Sequence, residues 1–587
     1  MERGLLAPLS LIVGLLALYL AAAFFVTNTY YQLILTSIPI WATLAIGWNV
    51  FSGYVGLLSF GHAAFFGIGA FVVTLLFTLA DVTPWVGIPI GGIVGAAAAV
   101  LIGLPTFRLR GHYFALAMVA YPLALLYVFN WLGFHEVTLP LKREAPAFYM
   151  QFANPYVYTL LAAGLLLVGM VIACLIDRSR FGLVLRAIKQ DEAAASASGI
   201  NPRGWKLAAL MISAVLSALA GGLYVVVLNV TTPNEVFGLV VSSTPLVLSM
   251  FGGIGSIWGP LIGAFALVPI SETLHAELGS IFPGVQGVVY GLALVLLMLW
   301  LPEGIYWKLH DRFSRVRVAP SRITTIQRSL PLALAKRLDS IPRGTPVLAL
   351  SGVSCQFGGL KVFKSLDLTI ESGSITGVVG PNGAGKTTLF NVINGFVSPS
   401  EGEVVLLGSD LTGMAVYARA RLGLARTFQT PRIFPRFTVL DNVYVGAVSA
   451  NYDTAQSQSA ATWAVAFCEL DDVAHKLAGS LSAMHVRKIE IARAIAGCPT
   501  VLLLDETLAG LAVSEIEEIL KIVRRLRVLG ITVVIIEHTM DAMVRLVDRM
   551  VVLDRGRLIA DGDPESVVRK RSVVEAYLGA KWAKRVA

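Results

Sequence analysis

Long apolar stretches, separated by short polar segments, fill the first half of the chain and end near residue 301. A stretch of about 20 apolar residues can cross a bilayer as a helix. Nine such stretches occur, at approximately 5–26, 33–51, 62–80, 85–104, 112–131, 157–176, 205–230, 236–275 and 284–301. The pattern predicts a multi-span α-helical membrane domain, and the first stretch is expected to remain as a membrane anchor.

The stretch at 236–275 is long enough for two crossings, and glycines and a proline interrupt it at residues 252–260. We expect a break there, which gives ten spans and returns the chain to the side on which it began. Positive charges at Arg108, Arg110 and residues 178–189 favour a cytoplasmic N-terminus, because cytoplasmic loops are enriched in Lys and Arg. Lys142 and Arg143 do not fit that pattern.

Two glycine-rich breaks, residues 53–62 and 252–260, are candidates for irregular backbone that lines a transport path. Ser59, His62 and Ser256 supply polar groups there. For His62 we favour a packing role, with a hydrogen bond to a neighbouring carbonyl, because polar side chains commonly join membrane helices in this way. Mid-span charges are nearly absent, which argues against a carrier driven by protons or sodium.

The polar segment at 179–206 differs from the other connections. Residues 180–189 have the pattern of a short amphipathic helix, and residues 191–200 follow as a small-residue segment. It is either a solvated basic loop or a surface that docks onto a nucleotide-binding domain. We favour docking, because the same chain carries such a domain.

Residues 302–346 are strongly basic and account for part of the net charge of +9. A basic run directly after a membrane span indicates the cytoplasmic face and contact with anionic lipid headgroups. We expect no nucleic-acid binding, since no aromatic residues are interleaved with the charges. The basic residues are Lys308, Arg312, Arg315, Arg317, Arg322, Arg328, Lys336, Arg337 and Arg343.

Residues 347–587 alternate apolar strand patterns with helical patterns, as in an α/β nucleotide-binding domain. Residues 380–388 fit the phosphate-loop template G-x-x-x-x-G-K-[ST], between a predicted strand and a predicted helix. Lys386 is expected to reach the β- and γ-phosphates of ATP, and Thr387 to hold Mg²⁺. The predicted nucleotide contacts are Gly380, Pro381, Asn382, Gly383, Ala384, Gly385, Lys386, Thr387 and Thr388.

Four further residues complete the predicted site. A buried strand pattern at 501–504 ends in Asp505, suited to Mg²⁺, and Glu506, suited to polarising the attacking water. Gln429 is expected to contact Mg²⁺ or water at the γ-phosphate, and His538 to contact the γ-phosphate itself. The residue types of Gln429 and His538 alone would not support these roles. Their order and spacing in the sequence relative to the phosphate loop and Asp505 do support them.

These motifs resemble those of the branched-chain amino-acid importers among the ABC transporters. The ATPase resemblance rests on Gln356-Phe-Gly-Gly359, Ala425-Arg-Thr-Phe-Gln429, Ile536-Glu-His538 and Val574-Glu-Ala-Tyr-Leu-Gly579. The permease resemblance rests on residues 59–69, 109–111, 179–182, 187–192 and 252–260. Composition along the chain sets the boundaries, and the resemblance names the parts: a transmembrane permease domain over 1–301, a basic cytoplasmic linker over 302–346 and an ABC ATP-binding domain over 347–587. The resemblance also implies that Phe357 stacks on adenine.

The family resemblance carries expectations about the assembly as well. It implies a bacterial cytoplasmic membrane location, a second permease, a second ABC ATPase and an extracytoplasmic substrate-binding protein. The expected function is ATP-driven import of branched-chain amino acids or related small carboxylates and amides. The alternatives are an ABC exporter subunit and a poorly hydrolytic regulatory or structural membrane subunit.

The chain departs from the family at the ABC signature. The usual Leu-Ser-Gly-Gly-Gln is replaced by Leu481-Ser-Ala-Met-His485, and the segment after Glu506 is also altered. In the family, each signature caps the ATP held by the opposite ATPase. Side chains at Ala483 and Met484 would obstruct the close backbone approach that glycine allows. We therefore expect an asymmetric pair, in which the ATP capped by residues 481–485 turns over poorly.

Overall fold

The computed structural model describes residues 2–109, 111–142, 144–278, 285–300, 303–313, 329–448 and 453–578. The chain divides into two compact units, one comprising Met1–Lys189 and Arg203–Val316 and the other Gln190–Pro202 and Arg317–Ala587. Some residues named above lie outside the described ranges, namely Arg110, Arg143, Arg315, Arg317, Arg322, Arg328 and Gly579.

The first unit is built from apolar helices. By length and composition, seven helical segments among its described residues could cross a membrane, and Leu9–Phe24 and Gly259–Leu274 are shorter apolar helices. The predicted multi-span helical domain of about ten helices is confirmed. Its apolar helices are α1 (Glu2–Phe24), α2 (Thr29–Trp48), α3 (His62–Ala80), α4 (Pro84–Thr106), α5 (His112–Trp131), α6 (Tyr156–Arg178), α9 (Pro202–Leu228), α11 (Leu239–Gly252), α12 (Gly259–Leu278) and α13 (Val285–Trp300).

Short elements connect these helices. β1 and β2 form an antiparallel pair in which Val137 lies opposite Thr231. A π-helix, Asn49–Gly53, continues α2. The short elements are α7 (Arg180–Gln190), α8 (Glu192–Ala197), α10 (Pro233–Phe237), α14 (Ile305–Phe313), β1 (Val137–Thr138) and β2 (Val230–Thr231).

The predicted break in the stretch at 236–275 is present, between α11 and α12. Gly253 and Gly255 have φ angles of 130° and 76°, in a region that glycine adopts far more readily than other residues. The side chain of Asn49 secures the turn, since its Nδ2 donates to the Ser256 carbonyl at 2.8 Å and its Oδ1 accepts from the Gly255 N–H at 2.8 Å. The Ser256 hydroxyl accepts the N–H of Gly259 at 2.8 Å, so its polar group is used within the turn.

His62 is fully buried at the start of α3. Its Nδ1 lies 3.0 Å from the Ser59 hydroxyl, and its Nε2 lies 2.6 Å from the Ser213 hydroxyl of α9. The prediction of a carbonyl partner is wrong, because both ring nitrogens contact serine hydroxyls instead. The contacts match the favoured packing role, in which one imidazole joins two helices.

The second unit contains two sheets. One is antiparallel with the order β4-β3-β6-β7, and the other has the order β12-β11-β5-β10-β9-β8. In the second sheet, β11, β5, β10, β9 and β8 are parallel, and β12 pairs antiparallel with β11. The strands are β3 (Pro346–Phe357), β4 (Leu360–Glu371), β5 (Ile375–Val379), β6 (Glu401–Leu406), β7 (Ser409–Asp410), β8 (Leu424–Arg426), β9 (Val501–Asp505), β10 (Thr532–Ile536), β11 (Arg549–Asp554) and β12 (Arg557–Gly562).

The strand order decides where the polar segments meet. All residues of β5, β9 and β10 are buried, which suits their continuous apolar runs. Since parallel strands end at a common edge, the segments that follow these three strands lie side by side. Besides α8, the α-helices among the described residues of this unit are α15 (Leu332–Asp339), α16 (Lys386–Asn394), α17 (Val416–Leu422), α18 (Val439–Val448), α19 (Thr454–Phe467), α20 (Ala483–Ala496), α21 (Val513–Leu529), α22 (Met540–Leu546), α23 (Pro564–Val568) and α24 (Arg571–Leu578).

Candidate functional site

The phosphate loop (residues 380–388) connects β5 to α16. Gly383 and Gly385 have φ angles of 81° and 103°, which let the backbone turn sharply before α16 begins at Lys386. A side chain at Gly380 would collide with the carbonyl of Leu553. The glycines therefore permit a compact turn at a helix N-terminus, where backbone N–H groups can bind phosphate.

Lys386 is folded into this loop. Its Nζ donates to the carbonyls of Gly380 at 2.8 Å and Pro381 at 3.1 Å, and the residue is buried. Burial lowers the pKa of Lys386, whereas the charges of Glu506 and Asp505 oppose that change. Asn382, Gly383 and Thr387 are exposed, so this part of the loop is open to a ligand.

Asp505 ends β9 and is buried. Its Oδ2 accepts a hydrogen bond of 2.8 Å from Nη2 of Arg426, and its Oδ1 has no partner among the described residues. Burial raises the pKa of Asp505, and the Arg426 charge opposes that rise. An unpartnered carboxylate oxygen and the exposed Thr387 hydroxyl are both oxygen donors, which is the chemistry that Mg²⁺ prefers.

The described residues contain no group of three or more His, Cys, Asp and Glu arranged to hold a metal. Mg²⁺ is usually held by one or two carboxylates together with substrate phosphates, so such a cluster is not required. The donors at Asp505 and Thr387 therefore fit Mg²⁺ bound with ATP.

Glu506 has partners on both of its carboxylate oxygens. Nε2 of Gln429 donates to Oε2 at 2.8 Å, and Nε2 of His538 lies 2.8 Å from Oε1. The backbone of Glu506 has φ of 47°, a conformation that is uncommon outside glycine, and its N–H donates to the Ile536 carbonyl at 2.9 Å. The structure thus brings together three side chains that are far apart in the sequence.

Phe357 lies at the end of β3, in the hairpin that joins β3 to β4, and 49% of it is exposed. The next strand passes the phosphate loop, since a Cβ built on Gly385 would be 3.1 Å from Cγ1 of Val362. The hairpin that carries the exposed ring is therefore adjacent to the phosphate loop.

The loop that contains Gln429 (residues 427–436, the Gln429 loop) is held by a buried carboxylate that the sequence did not reveal. Oε1 of Glu490 accepts the N–H groups of Phe428 at 3.1 Å and Arg432 at 3.2 Å. Arg487 donates to the carbonyls of Phe428 and Gln429, and Arg493 donates to that of Arg432 at 2.6 Å. We call these three residues of α20 the Arg487–Glu490–Arg493 clamp; their spacing of three residues places them along one face of the helix.

Residues Gln190–Pro202 (the docking segment) belong to the second unit, and they contact the Gln429 loop. The Asp191 carboxylate lies 3.3 Å from Nη1 of Arg432, and Ala197 packs with Val416 and Phe428. Nε of Arg421 donates to the Gly199 carbonyl at 2.9 Å. These contacts agree with the favoured docking role rather than a solvated loop.

The altered signature lies at the N-terminus of α20. Ser482 and Ala483 are exposed, and Met484 is half-buried. The Ser482 hydroxyl is 2.8 Å from Nδ1 of His485. The histidine therefore hydrogen-bonds to the hydroxyl of the residue that directly precedes α20.

Two family models match the chain. Residues 30–298 match the permease component of the branched-chain amino acid transport system, and residues 363–509 match the ABC transporter family. The first match lies in the helical region and the second contains the phosphate loop, Gln429, Asp505 and Glu506.

Curated ATP-binding proteins match part of the chain. The high-affinity branched-chain amino acid transport ATP-binding protein BraF of Pseudomonas aeruginosa is 34% identical over 251 residues, which covers 40% of this chain and 98% of the relative. The corresponding LivG protein of Salmonella typhimurium is 36% identical with the same coverage. A solved nucleotide-free ATP-binding cassette from an ABC transporter is 30% identical over 40% of this chain and 99% of that chain, with a TM-score of 0.37.

Proposed function

This chain belongs to the branched-chain amino-acid ABC transporter family, with a permease component and an ABC ATPase joined in one polypeptide, and we propose that it drives import of branched-chain amino acids or related small carboxylates and amides. The observation that carries the proposal is the position of Glu506. Its carboxylate contacts both Gln429 and His538 at the sheet edge where the phosphate loop begins.

ATP binds at the phosphate loop, where backbone N–H groups and the N-terminus of α16 contact its phosphates. Lys386 exchanges the carbonyls of Gly380 and Pro381 for the β- and γ-phosphates. The exposed ring of Phe357 stacks on the adenine. These contacts orient the γ-phosphate toward Glu506.

Glu506 polarises the attacking water, and Gln429 and His538 keep its carboxylate directed at the γ-phosphate. Thr387, Gln429 and Asp505 are the side chains that would hold Mg²⁺ in this site. The ion supplies positive charge that offsets the negative charge of the β- and γ-phosphate oxygens. The second ring nitrogen of His538, Nδ1, contacts the γ-phosphate, since Nε2 contacts Glu506.

The proposed domain boundaries are a permease domain over 1–301, a basic linker over 302–346 and an ATPase domain over 347–587. The chain is a membrane protein, and the proposed location is the bacterial cytoplasmic membrane with the ATPase domain inside. The basic linker then faces anionic lipid headgroups at that surface.

The proposed assembly contains a second permease, a second ABC ATPase and an extracytoplasmic substrate-binding protein. ATP binding closes the two ATPases, and closure moves the Gln429 loop. The docking segment follows that loop, because Arg432 pairs with Asp191 and Phe428 packs against Ala197. This movement reorients the transport path.

The two ATP sites of the assembly are proposed to be unequal. This chain supplies a phosphate loop with Glu506, Gln429 and His538, whereas its signature presents Ala483 and Met484 where glycines are usual. The ATP on this chain is hydrolysed with the partner's signature, and the ATP capped by residues 481–485 turns over slowly. The altered signature also favours a second candidate function, a regulatory subunit with little hydrolysis of its own.

The assembled transporter tests these two functions directly. We expect substrate-stimulated ATPase activity that is lost in both Glu506→Gln and Lys386→Ala. Nucleotide binding should persist in Glu506→Gln and weaken in Lys386→Ala. If neither substitution changes the substrate-stimulated rate, this chain is not the hydrolysing subunit and the regulatory function is correct.

A further inference from the structure

Arg426 is a buried cation that bonds to Asp505, one of the residues of the proposed metal site. Its side chain is 3% exposed, and it ends β8, which pairs with β9. Nη2 donates to Oδ2 of Asp505 at 2.8 Å, and Nη1 donates to Oδ1 of Asn391 at 2.6 Å. One planar guanidinium therefore joins the strand that carries Asp505 to the helix that carries Asn391.

Asn391 lies four residues after Thr387 on α16, so both side chains lie on the same side of that helix. Thr387 and Asp505 are two of the side chains proposed to hold Mg²⁺, and they come from different elements. Arg426 bonds to Asn391 on α16 and to Asp505 on β9. It therefore fixes the spacing between the helix that carries Thr387 and the strand that carries Asp505.

The guanidinium also decides which oxygen of Asp505 is left for the ion. Oδ2 is engaged by Arg426, whereas Oδ1 is buried without a partner among the described residues. A buried carboxylate oxygen without a hydrogen bond is costly unless another group binds there. The free oxygen is therefore the one available to a cation.

Three aromatic rings confine the guanidinium. Its centre lies 5.8 Å from the ring of Phe390, 5.8 Å from that of Phe396 and 5.4 Å from that of Phe428. Arginine suits this place better than lysine, because it is planar, stacks on rings and donates in two directions at once.

We propose that Arg426 is a positioning residue for the Mg²⁺ of bound ATP, acting through Asp505 and Asn391. The inference rests on the proposed function, in which Asp505 and Thr387 are metal ligands. Groups that orient metal ligands typically change metal affinity by about 10- to 100-fold when they are replaced. Arg426 is expected to have an effect of that size without touching the ion or the nucleotide.

The test measures binding of a fluorescent ATP analogue to the assembled transporter, first in EDTA and then during titration with Mg²⁺ and with Mn²⁺. Arg426→Lys keeps the charge and loses one of the two directed bonds. In this variant, the concentration of Mg²⁺ or Mn²⁺ that gives half of the metal-dependent change in fluorescence should rise by about 10- to 100-fold. The affinity for the analogue in EDTA should not change. Asn391→Ala removes only the link to α16 and should give a smaller rise of the same kind.

Arg419→Lys is the matched control. Arg419 is also buried, and its Nη1 donates to the carbonyls of Val392 and Ile393 near the C-terminal end of α16, at 2.7 Å each. Its hydrogen bonds among the described residues go to Met414, Val392 and Ile393, none of which belongs to the nucleotide site. Shortening this arginine should leave the metal titration unchanged, which separates metal positioning from the general cost of altering a buried arginine beside α16.

Asp505→Asn distinguishes failure of the inference from failure of the proposed function. If Asp505→Asn leaves the metal titration unchanged, Asp505 is not a ligand and the proposed site is wrong. If Asp505→Asn abolishes the response to metal while Arg426→Lys and Asn391→Ala titrate like wild type, the inference alone is overturned. The inference would also be overturned if Arg426→Lys lowered the affinity for the analogue equally in EDTA and in the presence of metal. Equal losses would indicate that Arg426 has a structural role.

Discussion

The side-chain amide of Gln429 donates a hydrogen bond of 2.8 Å to the carboxylate of Glu506. This bond connects the residue proposed to polarise water with the loop that contacts the docking segment. On the same loop, Arg432 pairs with Asp191 at 3.3 Å. A short series of contacts therefore runs from the proposed hydrolytic site to the docking segment.

Replacing Gln429 by alanine should lower the ATPase rate by about 10- to 100-fold, because Glu506 loses a group that orients it. Affinity for ATP measured in EDTA should remain close to that of wild type, since the phosphate loop is unchanged and no metal is bound. Steady-state hydrolysis and nucleotide binding, measured on the assembled transporter, test this. Gln456→Ala, at an exposed position on α19, is the matched control and should change neither quantity.

The Arg487–Glu490–Arg493 clamp should contribute strongly to stability. Glu490 is 1% exposed, and its removal leaves two buried arginines without their carboxylate. Glu490→Ala should destabilise the ATPase unit by about 3–5 kcal/mol, measured by chemical unfolding of the full chain. Glu575→Gln breaks an exposed pair with Arg571 and should cost less than about 1 kcal/mol. Similar losses of stability in Glu490→Ala and Glu575→Gln would contradict the stabilising role of the clamp.

Arg432→Ala should uncouple transport from hydrolysis. Its pair with Asp191 is partly exposed, so the expected effect on stability is below about 1 kcal/mol. The amount of substrate transported per ATP hydrolysed should fall, because the docking segment loses a contact with the Gln429 loop. Arg545→Ala, which removes an exposed pair with Glu517, is the control. An unchanged ratio for Arg432→Ala would show that this contact transmits no movement.

Glu537 should make the stability of the ATPase unit depend on pH. Burial raises the pKa of this carboxyl from 4.5 to about 7, although it accepts the N–H of Leu508 at 2.7 Å. Between these values the folded state retains a proton that the unfolded state has lost. Stability should therefore fall as pH rises through this window, by at most about 3 kcal/mol.

Thermal unfolding of the ATPase unit within the full chain, followed across that pH range, measures the dependence on Glu537. Glu537→Gln keeps an oxygen that can accept the Leu508 N–H and removes the titrating group. Its unfolding midpoint should vary less with pH than that of wild type. If the unfolding midpoint of Glu537→Gln varied with pH as much as that of wild type, the pH dependence of stability would arise from other groups.

Restoring the signature tests the proposed inequality of the two ATP sites. The combined substitutions Ala483→Gly, Met484→Gly and His485→Gln recreate the usual pattern and remove the histidine that bonds to the Ser482 hydroxyl. The ATPase rate of the assembled transporter should increase, and at most double, because a second site begins to turn over. A rate that stays the same or falls would indicate that residues 481–485 do not limit hydrolysis.

Much of the fold was predictable, because its signals are local. Apolar length indicated the helices, and Gly253 and Gly255 marked the break between α11 and α12. The phosphate loop was recognisable because its glycines, Lys386 and Thr387 are close together in the sequence.

The contacts around Arg426 could not be predicted in the same way. Arg426, Asn391 and Asp505 come from three elements and meet only because β8 pairs with β9 beside α16. Glu490 likewise has the appearance of a surface residue on a helix until the Gln429 loop is seen to cover it. Ser213, one of the two partners of His62, could not be predicted because it is distant in the sequence. Such contacts depend on how distant elements pack.

The most direct measurement is uptake of labelled leucine into proteoliposomes that contain the assembled transporter with its substrate-binding protein. With ATP on the side of the ATPases, we predict uptake that requires ATP and is lost in Glu506→Gln, although that variant still binds ATP. Uptake that proceeds at the wild-type rate in Glu506→Gln would contradict the proposal that hydrolysis on this chain drives import.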